Sequence, residues 1–375
     1  MSKNIVLCCD GTANEFKRDR TNVVKLFSTL IKDRDHQAAF YHAGIGTMAP
    51  PGALSRTSAF IAQTAGLAFG YGLQDDIRDA YVFIINNFDS GDKVFLFGFS
   101  RGAYTVRALA SLLYMYGVIG KGNEPLVPYA IRMLWAIHSL KKREKDGVTV
   151  ENERKVRDYF DLACEFKRTF SVAECNPHFV GIWDTVSSIG WIANPLSLPY
   201  TASNPAIQVG RHAIAIDERR AFFRSNLWTP SLTSGNGGPK DMKQIWFPGV
   251  HGDVGGGYPE SESGLSKIAL QWMLEEGVAN DLLIDEKKCA LVLGYNGGGY
   301  ARPDPKAKLH KSLTVPWWVA EFVPKLHWND ERQSNEWRMN LFGRRNMGGA
   351  PVVHRSAKDR GDEYANRLPP EATFI

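Results

Sequence analysis

Apolar and polar positions follow two rhythms along the first third of the chain. Short apolar runs bounded by polar or turn residues, Asn4-Ile5-Val6-Leu7-Cys8-Cys9 and Lys93-Val94-Phe95-Leu96-Phe97, read as buried strands. Longer runs with helical spacing, Gln74 to Ile84 and Tyr104 to Ala110, stand before and after the second of them. This alternation, from Ile5 to about Leu113, predicts a mostly parallel central sheet flanked by helices, an α/β fold. Phe179 to Trp183, Ala213 to Ile216 and Gln244 to Val250 are further strand-like runs, and Ser266 to Glu276 reads as a helix of the core. Between Gly117 and Pro177 the pattern turns charged and helical with no clear strand, so 117–177 is expected to be a helical cap inserted over the strand ends. Residues 300–375, rich in Trp, Pro and Arg, are expected to form an extension that packs on the core or covers a site. No repeat or low-complexity linker divides the chain, which predicts a single domain over 1–375.

One segment between a strand and a helix carries chemistry. Gly98-Phe99-Ser100-Arg101-Gly102-Ala103 follows the strand-like Lys93 to Phe97 and precedes the helical Tyr104 to Ala110, the context of a G-x-S-x-G elbow. The backbone of such an elbow turns so sharply that a Cβ two residues either side of the serine would collide with the adjoining strand or helix. Ser100 is thereby presented at the sheet edge as a nucleophile. The N–H of Arg101, at a helix N-terminus, is placed to stabilise an oxyanion.

A serine nucleophile needs a base and an orienting acid, and in α/β-hydrolases they follow in the order acid, then histidine. His251 ends the strand-like Gln244 to Val250 and opens the glycine-rich Gly252 to Tyr258, from which it can reach inward. His212, inside Arg211 to Ile216, reads instead as a core histidine, and His138 as part of a solvated helix face. Asp184, at the end of Phe179 to Trp183, is the first choice for the acid. Asp217 is its rival, although the arginines at 219 and 220 favour an ion-paired structural role there. Asp253 lies close by and reads most simply as a loop-bracing turn residue.

Asp10-Gly11-Thr12 leaves the first strand as a tight loop, and Gly11 and Thr12 are candidates for the second oxyanion donor; a plain Asp-Gly turn fits the same residues. Asp10, Asp184 and Asp253 as a hard-cation cage match no metal-loop spacing, so neither a metal nor another cofactor is expected.

Composition narrows the picture. With 375 residues, 44% of them hydrophobic, the chain can bury a large core. Its five cysteines have no C-x-x-C spacing, which argues against a disulfide framework and a zinc site and fits a reducing compartment. Met-Ser-Lys-Asn runs straight into a core strand, and no apolar stretch reaches membrane-spanning length, so the expectation is a cytoplasmic location without a signal peptide. The net charge of +5 is modest, and Lys141 to Lys145 and Arg344-Arg345 read as solvated basic clusters that could attract anionic lipid. Nothing suggests a nucleic-acid module. The apolar run Leu313 to Pro324, with Trp317 and Trp318, is either core packing or a lipid-facing patch, packing being the more ordinary reading.

Five blocks in order carry a resemblance: Leu7 to Asn14, Tyr41 to Thr47, Gly98 to Ala103, Gly181 to Val186 and Trp246 to Tyr258. Together they resemble the uncharacterised α/β-hydrolase-domain family that includes type VI secretion phospholipase effectors. The resemblance implies an α/β-hydrolase fold with Ser100 as nucleophile, Asp184 as acid and His251 as base, the same residues reached above. It also implies lipid acyl esters as substrate, peripheral membrane contact and export by a specialised secretion system. Cys8-Cys9, in place of a bulkier pair, and Gly252, in place of serine, bear on pocket shape rather than on the chemistry. A soluble small-ester esterase or thioesterase would share every one of these residues. A non-catalytic binding or toxin-delivery module is the alternative of another class.

Overall fold

The computed structural model describes residues 2–11, 19–44, 71–145, 150–186, 190–191, 194–221, 223–228, 238–313, 318, 321–322, 324–329 and 334–375. Thr12 and Trp317 lie outside them.

The core is one sheet. Strand β1 (Asn4–Cys9) pairs in parallel with β2 (Gln37–His42) on one side and β3 (Lys93–Phe99) on the other, with Cys9 opposite both His42 and Gly98. Beyond β3 follow β4 (Phe179–Trp183), β5 (Val209–Ala215), β6 (Asp241–Phe247), β7 (Val352–Val353) and β8 (Thr373–Phe374). The order is β8-β7-β6-β5-β4-β3-β1-β2, and every neighbouring pair is parallel. A parallel sheet is covered on both faces, so its strands are apolar almost throughout. In β1, Ile5, Leu7 and Cys9 enter one core layer while Val6 and Cys8 enter the other.

Helices α1 (Asn22–Thr29), α2 (Tyr71–Asn87), α3 (Arg101–Tyr116), α4 (Val127–Lys145), α5 (Val150–Phe170), α6 (His251–Gly255), α7 (Gly264–Val278) and α8 (Glu286–Val292) divide between the faces. Helices α2 to α5 cover the face carrying Ile5, Leu7 and Leu96. Helices α1, α7 and α8 cover the face carrying Val6, Cys8 and Phe97. The insertion expected over 117–177 supplies α4 and α5, which pack together and against α2 and α3. They also reach the loop beyond β4: His138 Nδ1 lies 2.9 Å from the Ser197 carbonyl oxygen, and Phe160 meets Tyr200 edge-on. Among the described residues, no helix is long and apolar enough to cross a membrane.

The extension after residue 300 lengthens the sheet. Val353 packs with Ile214, Trp246 and Tyr364 in a third apolar cluster. Strands β7 and β8 have two residues each, too few for any periodicity to predict them.

Strand order reverses at β1, because β2 lies to one side of it and β3 to the other. The carboxyl ends of β1 and β3 therefore flank the crevice in which open parallel sheets place their sites.

Candidate functional site

Ser100 leaves β3 with φ 58° and ψ −117° and precedes the first residue of α3. Non-glycine residues seldom adopt that conformation, and it persists where its surroundings enforce it. Both elbow glycines are part of that enforcement. A Cβ on Gly98 would stand 2.5 Å from the Gly102 carbonyl oxygen, and one on Gly102 would stand 2.1 Å from the Cys9 carbonyl oxygen. The turn is thus pressed between β1 and its own helix. Arg101 opens α3, where helix geometry gives a backbone N–H no intrahelical acceptor.

The Ser100 N–H donates to the Trp183 carbonyl at 3.1 Å, so the residue after β3 is tied to the last residue of β4. The next residue is Asp184, fully buried and also at positive φ, 38°. Its Oδ2 lies 2.6 Å from His251 Nδ1. The imidazole of His251 sits between two rings, Phe99 at 4.6 Å and Phe223 at 4.9 Å between centroids. Asp184 and His251 thus meet at the carboxyl edge of β4, and the Ser100 backbone is bonded to the residue that precedes Asp184. Burial would raise the Asp184 carboxyl, but the Arg345 charge together with His251 outweighs it and holds the group well below the usual carboxylate range. Burial of the His251 imidazole lowers it, only partly offset by Asp184, so the ring is neutral at neutral pH.

Two residues at this site escape sequence reasoning. Arg345 does not belong to a solvated cluster: its side chain is 6% exposed, and its guanidinium forks onto Asp184, Nη1 to Oδ1 at 2.5 Å and Nη2 to Oδ2 at 3.0 Å. Its remaining donors reach the Phe223 and Ala215 carbonyls. Glu218, its side chain wholly buried, accepts from the His251 backbone N–H at 3.2 Å and pairs with Arg220 at 2.9 Å. Neither role has a local signal, because the partners stand 161 and 33 residues away in sequence.

The other carboxylates are braces. Asp217 Oδ2 accepts from the Gly249 N–H at 2.8 Å and from Tyr364 Oη at 2.5 Å, tying the loops after β5 and β6 to the C-terminal segment. It is Glu218, not Asp217, that takes the arginine at 220. Asp253 receives the Val250 N–H at 3.0 Å and faces His310 Nδ1 at 2.6 Å, which goes beyond a simple turn. Asp10 Oδ2 accepts from Thr21 Oγ1 at 2.5 Å and Tyr41 Oη at 3.0 Å, locking the β1 loop to α1 and β2. The Gly11 N–H donates to Asp10 Oδ1 at 2.7 Å. His212 is a core histidine as expected: it accepts the Thr185 N–H at 3.3 Å, and burial pushes it down to about 3.

With this arrangement in place, the family model described as "T6SS, Phospholipase effector Tle1-like, catalytic domain" matches residues 3–276. The chain belongs to this family. The match spans β1 to α7 and with them Ser100, Asp184 and His251, whereas Arg345 lies beyond it. An uncharacterised protein of Saccharomyces cerevisiae is 34% identical over 235 residues, covering 61% of this chain; the chain spans 33% of that relative's length. Among solved structures, an uncharacterised protein from Pseudomonas aeruginosa is similar at a TM-score of 0.43 and 17% identity, over 76% of this chain and 46% of its own. A Tle1 effector bound to the VgrG spike of the type VI secretion system is similar at a TM-score of 0.35 and 18% identity, over 70% of this chain and 52% of its own.

Proposed function

We propose that this Tle1-like domain is a serine hydrolase of carboxylic esters, with lipid acyl esters as its substrate class. Ser100 Oγ attacks the ester carbonyl while His251 Nε2 takes the hydroxyl proton; Asp184 holds Nδ1–H and so selects the tautomer that leaves Nε2 free to accept. The tetrahedral intermediate collapses to an acyl-serine, and the alcohol leaves with the proton from His251. Water then attacks the acyl-serine, giving its proton to His251, which passes it to Ser100 Oγ as the acyl bond breaks and the carboxylic acid departs. Arg101 N–H supplies one oxyanion donor. A second, from Gly11, requires that amide to turn away from Asp10, which a glycine backbone permits.

The observation that carries this reading is the 2.6 Å contact of His251 with the buried Asp184, whose preceding residue accepts the N–H of Ser100, a serine held at positive φ. Membership of a phospholipase effector family supports lipid esters over short soluble ones. We include in the proposal that α4 and α5 wall the approach to Ser100, and that exposed aromatic side chains around Trp318 meet the lipid surface. A fluorophosphonate probe labels the wild-type protein and not Ser100→Ala, and mass spectrometry of products from phospholipid vesicles finds free fatty acid only with the wild type. Equal labelling of both proteins overturns the nucleophile.

A further inference from the structure

In the triad mechanism the acid needs only to orient the imidazole and offset its developing charge. Here the acid has a second cationic partner of its own. Asp184 Oδ1 accepts the Ala215 N–H at 2.9 Å and Arg345 Nη1 at 2.5 Å, while Oδ2 accepts His251 Nδ1 at 2.6 Å and Arg345 Nη2 at 3.0 Å. Both oxygens are therefore fixed from two directions. The guanidinium is itself fixed, since the Phe223 and Ala215 carbonyls take its other donors. A fork built in this way restrains the carboxylate plane as well as its position.

We propose that Arg345, contributed by the segment beyond the family-matched domain, is a positioning residue for the reaction: its fork sets the plane of Asp184 and thereby aims His251 at Ser100. The inference rests on the triad reading above, and it adds an electrostatic consequence. A carboxylate neutralised by a guanidinium offers less to an imidazolium than a bare one does. Arg345 therefore keeps His251 unprotonated to lower pH than Asp184 alone would allow, while it lessens the support the acid gives once the imidazole is charged. Other charges face the imidazole as well. Glu218 lies against its backbone and is paired with Arg220, and neutral His212 borders Asp184 from β5. None of these is bonded to Asp184 Oδ2, the oxygen that His251 meets, whereas Arg345 is.

The test separates charge from fork. Arg345→Met removes both, and Arg345→Lys keeps the charge without the bidentate geometry. In Arg345→Met the acid limb of kcat/KM moves up by about one pH unit, as expected for the loss of one close charge. Its plateau kcat falls about tenfold, with KM nearly unchanged. In Arg345→Lys the acid limb stays where the wild type has it and only the plateau falls. The same shift is read without turnover, by NMR titration of His251 in a Ser100→Ala background with and without Arg345→Met. If the His251 titration is the same in both backgrounds, the inference falls whatever the enzyme does. If it shifts while Ser100→Ala still hydrolyses ester, the triad reading falls and the coupling of Arg345 to His251 stands. Activity lost only in proportion to unfolded protein, with an unmoved pH profile, marks Arg345 as merely structural and also overturns the inference.

Discussion

Ser100 and Asp184 both hold backbone angles that cost a non-glycine residue roughly 1–3 kcal/mol, and each does so at the end of a strand facing the other. Strain of that size persists because the surroundings leave no alternative, and in the proposed mechanism it fixes the Ser100 and Asp184 oxygens before substrate arrives. His251→Ala is expected to lower kcat by about three to four orders of magnitude with the fold retained, measured by steady-state turnover beside circular dichroism. Asp184→Asn gives a similar loss and also destabilises, by about 3–5 kcal/mol, since it leaves Arg345 buried without its counter-charge. Asp217→Asn should keep turnover within tenfold, because the Gly249 N–H still finds an amide oxygen; if it proves the damaging change and Asp184→Asn the mild one, the acid is misassigned. At this scale the sequence offers Ser100, Asp184 and His251 as candidates, because strand ends and glycine loops are local signals, and the proposal rests on the same three. Arg345 and Glu218 were hidden, since an arginine or glutamate facing solvent and one clamped in a buried pair look the same in a linear string.

The elbow is the element in which local pattern and tertiary packing agree most closely. The glycine spacing read from Gly98 to Gly102 corresponds in space to contacts of 2.5 and 2.1 Å that a Cβ would make with backbone carbonyls. Backbone cannot step aside as a side-chain tip can, so Gly102→Ala is expected to cost about 3 kcal/mol or to abolish folding. Gly349→Ala, with nothing within 4 Å of its Cβ, should leave the urea midpoint unchanged. A Gly102→Ala protein as stable as the wild type would contradict the close packing of α3 on β1. The strands β1, β3 and β4 were legible because burial on both faces makes them continuously apolar. Strand β2, Gln37–His42, was not, because its partly exposed outer half carries mixed residues, and β7 and β8 are too short to show any pattern.

At the scale of the molecule, several of the large apolar side chains that are exposed among the described residues fall in one stretch: Trp318, Phe322, Trp337, Met339 and Leu341 are 45–61% exposed. Trp318 and Phe322 both meet Phe342 edge-on, at 5.9 and 5.8 Å, three residues before Arg345. That exposure is what the proposed lipid contact at Trp318 rests on, against the packing reading. Trp318→Ser with Phe322→Ser should weaken sedimentation with anionic vesicles severalfold and slow phospholipid turnover, while hydrolysis of a short soluble ester and the melting temperature stay near wild type. If ester turnover and melting temperature fall together, these rings are packing residues. The clamp on Asp184 also gives this architecture an order in time. A ribosome releases Ser100, Asp184 and His251 well before residue 345, and a nascent chain that has all three still holds a carboxylate whose burial awaits its cation. Such a chain gains the partner of Asp184 only when the segment carrying Arg345 has emerged and folded back on the sheet, so a polypeptide cut short in translation carries Ser100, Asp184 and His251 without the arginine that clamps the carboxylate.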